Sequence, residues 1–174
     1  MTQPLQRFSL TPSDPTLTLY ALVDGARYLT LDKRLENASD AFRFQWLLEG
    51  GELDGIRHGG PALVEFPQVA LPHDFLSWLT ERDRRDPMVS WLWSSESFST
   101  LAAHYTQLLF TRLPDGRRSL FRYYNPTVRR SLDLVLTGEQ QAALMQPVRE
   151  WLVWQPLQGS YLSYTRKSQE ATHA

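Results

Sequence analysis

Leu109-Phe-Thr-Arg-Leu-Pro-Asp-Gly-Arg-Arg-Ser-Leu-Phe-Arg-Tyr-Tyr-Asn-Pro126 sets two β-prone runs on either side of a turn and follows them at once with a helix start. Pro114 presets φ for the first corner of a type I turn, Asp115 suits the second, and Gly116 takes the left-handed conformation that returns the chain. If Leu113 pairs with Arg117, then Leu109 lies opposite Phe121 and Phe110 opposite Leu120, so both faces of the ribbon carry apolar pairs. That pattern predicts a hairpin inside a sheet, covered on both sides, with a bulge at Gly116 as the feature that would shift the register. Asn125-Pro126 caps and opens a helix: the Asn side chain accepts an orphan N–H, and Pro at the first helical position loses no hydrogen bond.

A chain of 174 residues is one ordinary domain, large enough to bury most of its apolar surface without a metal or disulfide staple. Cysteine is absent, which removes disulfides, thiolate catalysis and cysteine metal sites. The start, Met1-Thr-Gln-Pro-Leu-Gln-Arg-Phe8, has no charged region followed by an apolar one, and no apolar run approaches membrane-spanning length, so a cytoplasmic protein is expected. The net charge is −1 with both signs interspersed, unlike the one-sided basic footprint of a nucleic-acid binder. Aromatic residues make up 12% of the chain, more than an ordinary core of this size needs: the plainer account is a Trp-rich core, the other an interface, where aromatics are favoured.

Residues 1–16 hold Pro4, Pro12 and Pro15 without periodicity and read as a loosely held tail. Leu17–Val23 reads as a buried strand that turns at Asp24-Gly25, with a helix expected from Ala26 to about Leu35. Between Ser39 and Gly51 a short helix is expected, although Phe42, Phe44 and Trp46 alternate as a strand would. Gly59-Gly60-Pro61 breaks the chain before the strand Ala62–Phe66. Phe75, Trp78, Leu79 and Arg82 mark an amphipathic helix, and Met88–Trp93 the next strand. Trp91 and Trp93 share one face of it and Leu92 takes the other, so the pair either roofs the core, the simpler outcome, or anchors a partner where one is left exposed. Phe98, Leu101, Ala102, Tyr105, Leu108 and Leu109 form the cleanest helical stripe, capped from the Ser94–Ser99 cluster, and that helix feeds the hairpin. After Pro126, Val128, Leu132, Val135 and Leu136 predict one buried stripe. Thr137-Gly-Glu-Gln140 is a capping box. Trp151–Trp154 and Tyr161–Tyr164 bracket Pro156 and Gly159 as a late hairpin, followed by a polar tail past Arg166. The fold class is therefore α+β: a mixed, largely antiparallel sheet with helices packed on it, plus a short helical C-terminal part. A main lobe over 17–125 and a short C-terminal lobe over 126–174, packed on it as one domain, complete the expected organisation.

The candidates for chemistry are Asp24, His58, His73, His104 and the serines 94–99, and none stands in a hydrolase, metallopeptidase or nucleotide-binding frame. The serines read as helix caps, and His104 beside its apolar stripe as a partly buried histidine with a hydrogen-bond partner. Asp24-Gly25 is either an active-site carboxylate at a strand end or a turn that caps a helix. Arg122, between Phe121 and Tyr123, needs an acidic partner or a cluster of carbonyls, and Asp24 is the candidate acid. Arg112, Arg117 and Arg118 gather near the turn, where they meet either an acidic surface or solvent.

Tyr20-Ala-Leu-Val-Asp-Gly-Ala26, Gly60-Pro-Ala-Leu-Val64, the helix carrying Leu101 and His104, Arg112-Leu-Pro-Asp-Gly116 and Leu120-Phe-Arg-Tyr-Tyr-Asn-Pro126 together resemble the type VI secretion effector chaperones, or adaptors of the Tap or TEC kind, a family long catalogued as a domain of unknown function. The likeness spans about Leu17 to Trp154. The family pattern usually has Asp before the Pro where this chain has Asn125, an exchange a cap accepts. Family members often carry a longer helical C-terminal lobe. The resemblance implies a cytoplasmic, non-enzymatic loading factor without cofactor or metal. It would hold a toxic effector and deliver it to the VgrG spike, with no nucleic acid or membrane insertion involved. Asp24, Gly25, Pro61, His104, Pro114, Asp115, Gly116, Arg122, Asn125 and Pro126 are then structural motif residues. Partner contacts are expected from Trp91, Trp93, Arg112, Arg117 and Arg118, through an apolar groove rimmed by aromatics and arginines. The competing reading is a small enzyme or small-molecule sensor with a cleft around Asp24, His104 and Arg122. Convergence of those three on a pocket would favour it.

Overall fold

The computed structural model describes residues 14–67 and 73–166, so most of the expected N-terminal tail and the polar end past Arg166 lie outside the described residues. In chain order these hold β1 (Thr18–Asp24), α1 (Leu31–Asn37), β2 (Arg43–Trp46), β3 (Pro61–Phe66), α2 (Asp74–Arg85), β4 (Val89–Ser94) and α3 (Phe98–Gln107). There follow β5 (Phe110–Arg112), β6 (Arg118–Leu120), α4 (Pro126–Leu132), α5 (Gly138–Met145), β7 (Glu150–Gln155) and β8 (Ser160–Thr165). Six strands form one sheet in the order β2-β3-β1-β4-β7-β8, every neighbour antiparallel, and β5-β6 form a separate ribbon. The fold class is the α+β one that the sequence predicts. Two of the six strands come from the C-terminal stretch, because β7 pairs with β4.

Both faces of the sheet are covered, which is why β1, β3 and β4 read as nearly continuous apolar runs. Leu19, Ala21, Val23, Val64, Phe66, Trp91 and Trp93 join Leu31 and Leu35 of α1 and Phe75 and Leu79 of α2 in one core. Tyr20, Leu22, Leu63, Leu92, Trp151 and Val153 join α3, Tyr123, Tyr124, Leu132 and Leu144 in the other. Trp91 and Trp93 thus do share a face opposite Leu92. At 0% and 3% exposed, however, they roof a core and offer a partner nothing.

Four further expectations are corrected. Residues 43–46 are strand, not helix: Arg43 lies opposite Glu65 and Phe44 opposite Val64, so period-two pairing with β3 wins over the local Ser39 and Gly50 helix signals. The helix expected from Ala26 splits into a 3-10 turn, Gly25–Arg27, and α1. The β5-β6 ribbon has the expected register, Phe110 opposite Leu120, yet stands apart from the main sheet. Its strands are three residues long; Phe110, Leu120 and Phe121 pack beside buried Leu109 against one core, while Arg112 and the turn are exposed. The helix after Pro126 stops at Leu132; Leu136 still packs against the core from the loop before α5, but Val135 is 72% exposed there.

Asp83 is buried on the stripe of Phe75 and Leu79. Its carboxylate accepts from Met88 N–H at 2.8 Å, Val89 N–H at 2.9 Å and Trp91 Nε1 at 3.2 Å, tying α2 to β4. Burial pushes its carboxyl up to about 6 against those three hydrogen bonds.

Candidate functional site

Where β1 ends, Asp24 has its side chain fully buried and all of its partners within the protein. Oδ1 accepts from Ala26 N–H at 3.1 Å and so caps the 3-10 turn. Oδ2 accepts from Arg122 Nη2 at 2.6 Å and from Asn125 Nδ2 at 2.8 Å. Of the alternatives for Asp24-Gly25, the geometry is that of a cap, and the partner anticipated for Arg122 is the one found. Gly25 is fixed by crowding: a Cβ there would stand 2.1 Å from His58 O and 2.8 Å from both Gly60 O and the Trp46 ring. Pro61, opposite Asp24 in the β1-β3 register, starts the strand that closes this corner.

Asn125 performs two tasks. Its Oδ1 accepts from Thr127 N–H at 3.0 Å and Val128 N–H at 3.2 Å, capping α4 ahead of Pro126, while its amide nitrogen serves Asp24. An aspartate would cap equally well but would set a second carboxylate against the first, so cap chemistry alone does not describe this position. Neighbouring Tyr124 has its phenol pushed up to about 12 by burial, with the Asp24 charge adding to the shift.

His104 belongs to a different neighbourhood. Its Nε2 lies 2.8 Å from Ala143 O and joins α3 to α5, and burial lowers its pKa. No hydrogen bond or ion pair joins it to Asp24 or Arg122, so the three residues of the competing reading do not form one constellation. His58 faces Asp32 at 3.6 Å, and His73 accepts from Phe75 N–H at the start of α2. Ser97 Oγ caps α3, and Ser94 Oγ donates to Pro147 O. Among the described residues no group of three or more His, Cys, Asp or Glu side chains is placed to hold a metal ion, and no helix is long and apolar enough to cross a membrane.

The turn residues behave as their chemistry dictates. Gly116 has φ +83°, its N–H donates to Leu113 O at 2.9 Å, and Leu113 N–H donates to Arg117 O at 2.8 Å. Arg117 pairs with Asp115 at 2.6 Å. Arg118 reaches Glu52 at 2.9 Å while lying 4.5 Å from the Phe110 ring centre. Arg112 and Arg118 line a small cleft with Glu52 and Phe110.

Arg129 stands in none of the motifs of the sequence. Three residues after Pro126 and three before Leu132, it lies on the inner stripe of α4, the signal that places it inside. It is 2% exposed, its guanidinium 3.7 Å from the Tyr164 ring centre and 5.0 Å from that of Trp151, with Asp133 at 3.2 Å. It forms part of the wall of a groove of about 1230 Å³ between α5 and β8, which none of Asp24, His104 or Arg122 lines.

No curated protein and no solved structure matches the chain. The profile of a family described as "Domain of unknown function (DUF4123)" matches residues 19–143, from the first residues of β1 to within α5. With well over half of its length so matched, and with the Asp24-Gly25 corner, the Gly116 turn and the Asn125-Pro126 cap all inside the matched segment, the chain belongs to the DUF4123 family.

Proposed function

We propose that this chain is a chaperone or adaptor without catalytic turnover, which binds a type VI secretion effector in the cytoplasm and helps load it onto the VgrG spike. One observation carries the non-enzymatic part: the carboxylate best placed for chemistry, Asp24, is buried with its oxygens taken up by Ala26, Arg122 and Asn125. A general base needs a free lone pair within reach of substrate, and this one serves the fold. Family membership, together with the resemblance of the motifs to effector chaperones, supports the loading role.

The test is co-expression with the toxin encoded beside this chain. The toxin should become more soluble, the complex should survive size exclusion, and the purified chain should turn over no substrate. A chain that runs alone beside every neighbouring toxin and spike protein, yet binds a small metabolite tightly, would return the sensor reading to first place.

A further inference from the structure

We propose that the outer edge of β8, with the groove beside it, docks an extended acidic segment of a protein partner, which adds to the sheet as a further strand. The inference rests on the protein-binding reading above and gives it a surface.

β8 ends the sheet order, and its pairing within the described residues is with β7 alone. Arg166 N–H donates to Arg149 O at 3.2 Å, which sets the alternation along the strand. Leu162 and Tyr164 therefore turn their main-chain groups toward β7, while Ser163 and Thr165 turn theirs outward. Exposed edges are usually blunted by charge, proline, bulges or brevity. Ser160-Tyr-Leu-Ser-Tyr-Thr165 has six residues, no charge and no proline, whereas the opposite edge, β2, has four residues and carries Arg43. The β8 edge is a template for strand addition.

Charge selects the occupant. Arg129, Arg149 and Arg166 line the groove against one carboxylate, Asp133. Two other carboxylates stand near this edge, Glu150, which accepts from Ser163 Oγ at 2.6 Å, and Asp14, which feels the Arg149 charge, while Arg130 adds a fourth cation within reach of Tyr164. Cations thus outnumber acids, and a second copy pairing edge to edge would bring both sets of arginines together, which disfavours self-association and favours an acidic chain. Leu134 and Val135, 87% and 72% exposed, lie between the lining residues Asp133 and Gly138 and offer apolar contact at the rim. The fitting segment is extended, carries carboxylates and places an apolar side chain among them.

The probe is a capped Glu-Val-Glu-Val-Glu-Val-Glu peptide, with its Lys-Val counterpart as control, added to the full chain and followed by amide hydrogen exchange. The acidic peptide should slow exchange at Ser163 and Thr165, more so at low salt, and the basic one should not. Ser163→Pro removes an outward N–H and no main-chain bond to β7, but it also deletes the Oγ contact with Glu150 of β7. It is therefore set against Ser163→Ala, which lacks that contact but keeps the N–H; relative to it the melting temperature should be nearly unchanged while binding weakens at least ten-fold. The double exchange Arg149→Glu and Arg166→Glu should weaken it similarly. Equal protection by both peptides, protection by neither, or full binding by Ser163→Pro would overturn the proposal. So would a dimer that Ser163→Pro converts to monomer, since a second copy would then own the edge. A toxin still retained by Ser163→Pro would sink this docking strip and leave the chaperone reading standing. A wild-type chain that retains no toxin would sink that reading, with the peptide result deciding the strip.

Discussion

Asn125 donates from Nδ2 to the buried Asp24 carboxylate at 2.8 Å while its own carbonyl oxygen caps α4, so one amide joins the end of β1 to the start of a helix 101 residues later. Replacing Asn125 with Asp keeps the cap and turns the donor into a second carboxylate. The exchange should cost about 2 to 4 kcal/mol at neutral pH. Crowding two carboxyls raises the folded-state pKa of the pair, so the variant should recover stability relative to wild type as pH falls from 7 toward 4. Urea melts across that range decide it: a cost that does not change with pH would contradict the close contact.

Arg122→Ala strands the same carboxylate from its cation. The guanidinium side is 41% exposed, and Asn125 and Ala26 remain as donors, so the loss should be about 2 kcal/mol, below the 3 to 5 typical of wholly buried pairs. A variant as stable as wild type that failed to bind a toxin would assign Arg122 to the interface instead.

Gly25 and Gly116 should respond differently to a side chain. Gly25→Ala drives a Cβ to 2.1 Å from His58 O, a clash with main chain, and should lower stability by about 3 kcal/mol or more. Gly116→Ala meets no atom within 4 Å and bears only the left-handed φ of +83°, about 1 to 2 kcal/mol. Thermal melts of the two variants should rank in that order, and the reverse ranking would refute the packing at the Asp24 corner.

His104 makes the contact between α3 and α5 sensitive to acid. Burial holds its folded-state pKa below the ordinary value, so its contribution is present above pH 6.5 and is lost as pH falls through the lowered value. The melting temperature should therefore drop between pH 7 and pH 5 more steeply in wild type than in His104→Gln. Parallel slopes would remove His104 from the account.

The elements legible in the sequence are those whose signals are local. Pro114-Asp-Gly116, Asn125-Pro126 and the Thr137–Gln140 capping box each settle their own backbone within four residues, and all three are found as read. β2 was illegible because its strand character depends on β3, whose partner residue Glu65 lies far from Arg43 along the chain. Asp83 and Arg129 hid for another reason: charged residues on an apolar stripe look solvated until their partners, the Met88 and Val89 amides or the Tyr164 ring, are in place. A half-buried cation between two aromatics announces a need for acceptors, carboxylate or carbonyls, and Asp24 at the end of β1 is the acid that meets it. The burial of the Trp91 and Trp93 face followed from helices α1 and α2 covering that side, which no spacing within β4 announces.

The family match ends at residue 143, ahead of β7 and β8. The matched segment thus supplies β1 to β4 of the six-stranded sheet, and the β7-β8 hairpin, outside it, completes the sheet against β4. The segment up to residue 143 would, by itself, leave the β4 edge unpaired and bare the side of the core that Trp151 and Val153 close, so the integrity of that segment depends on a hairpin outside it.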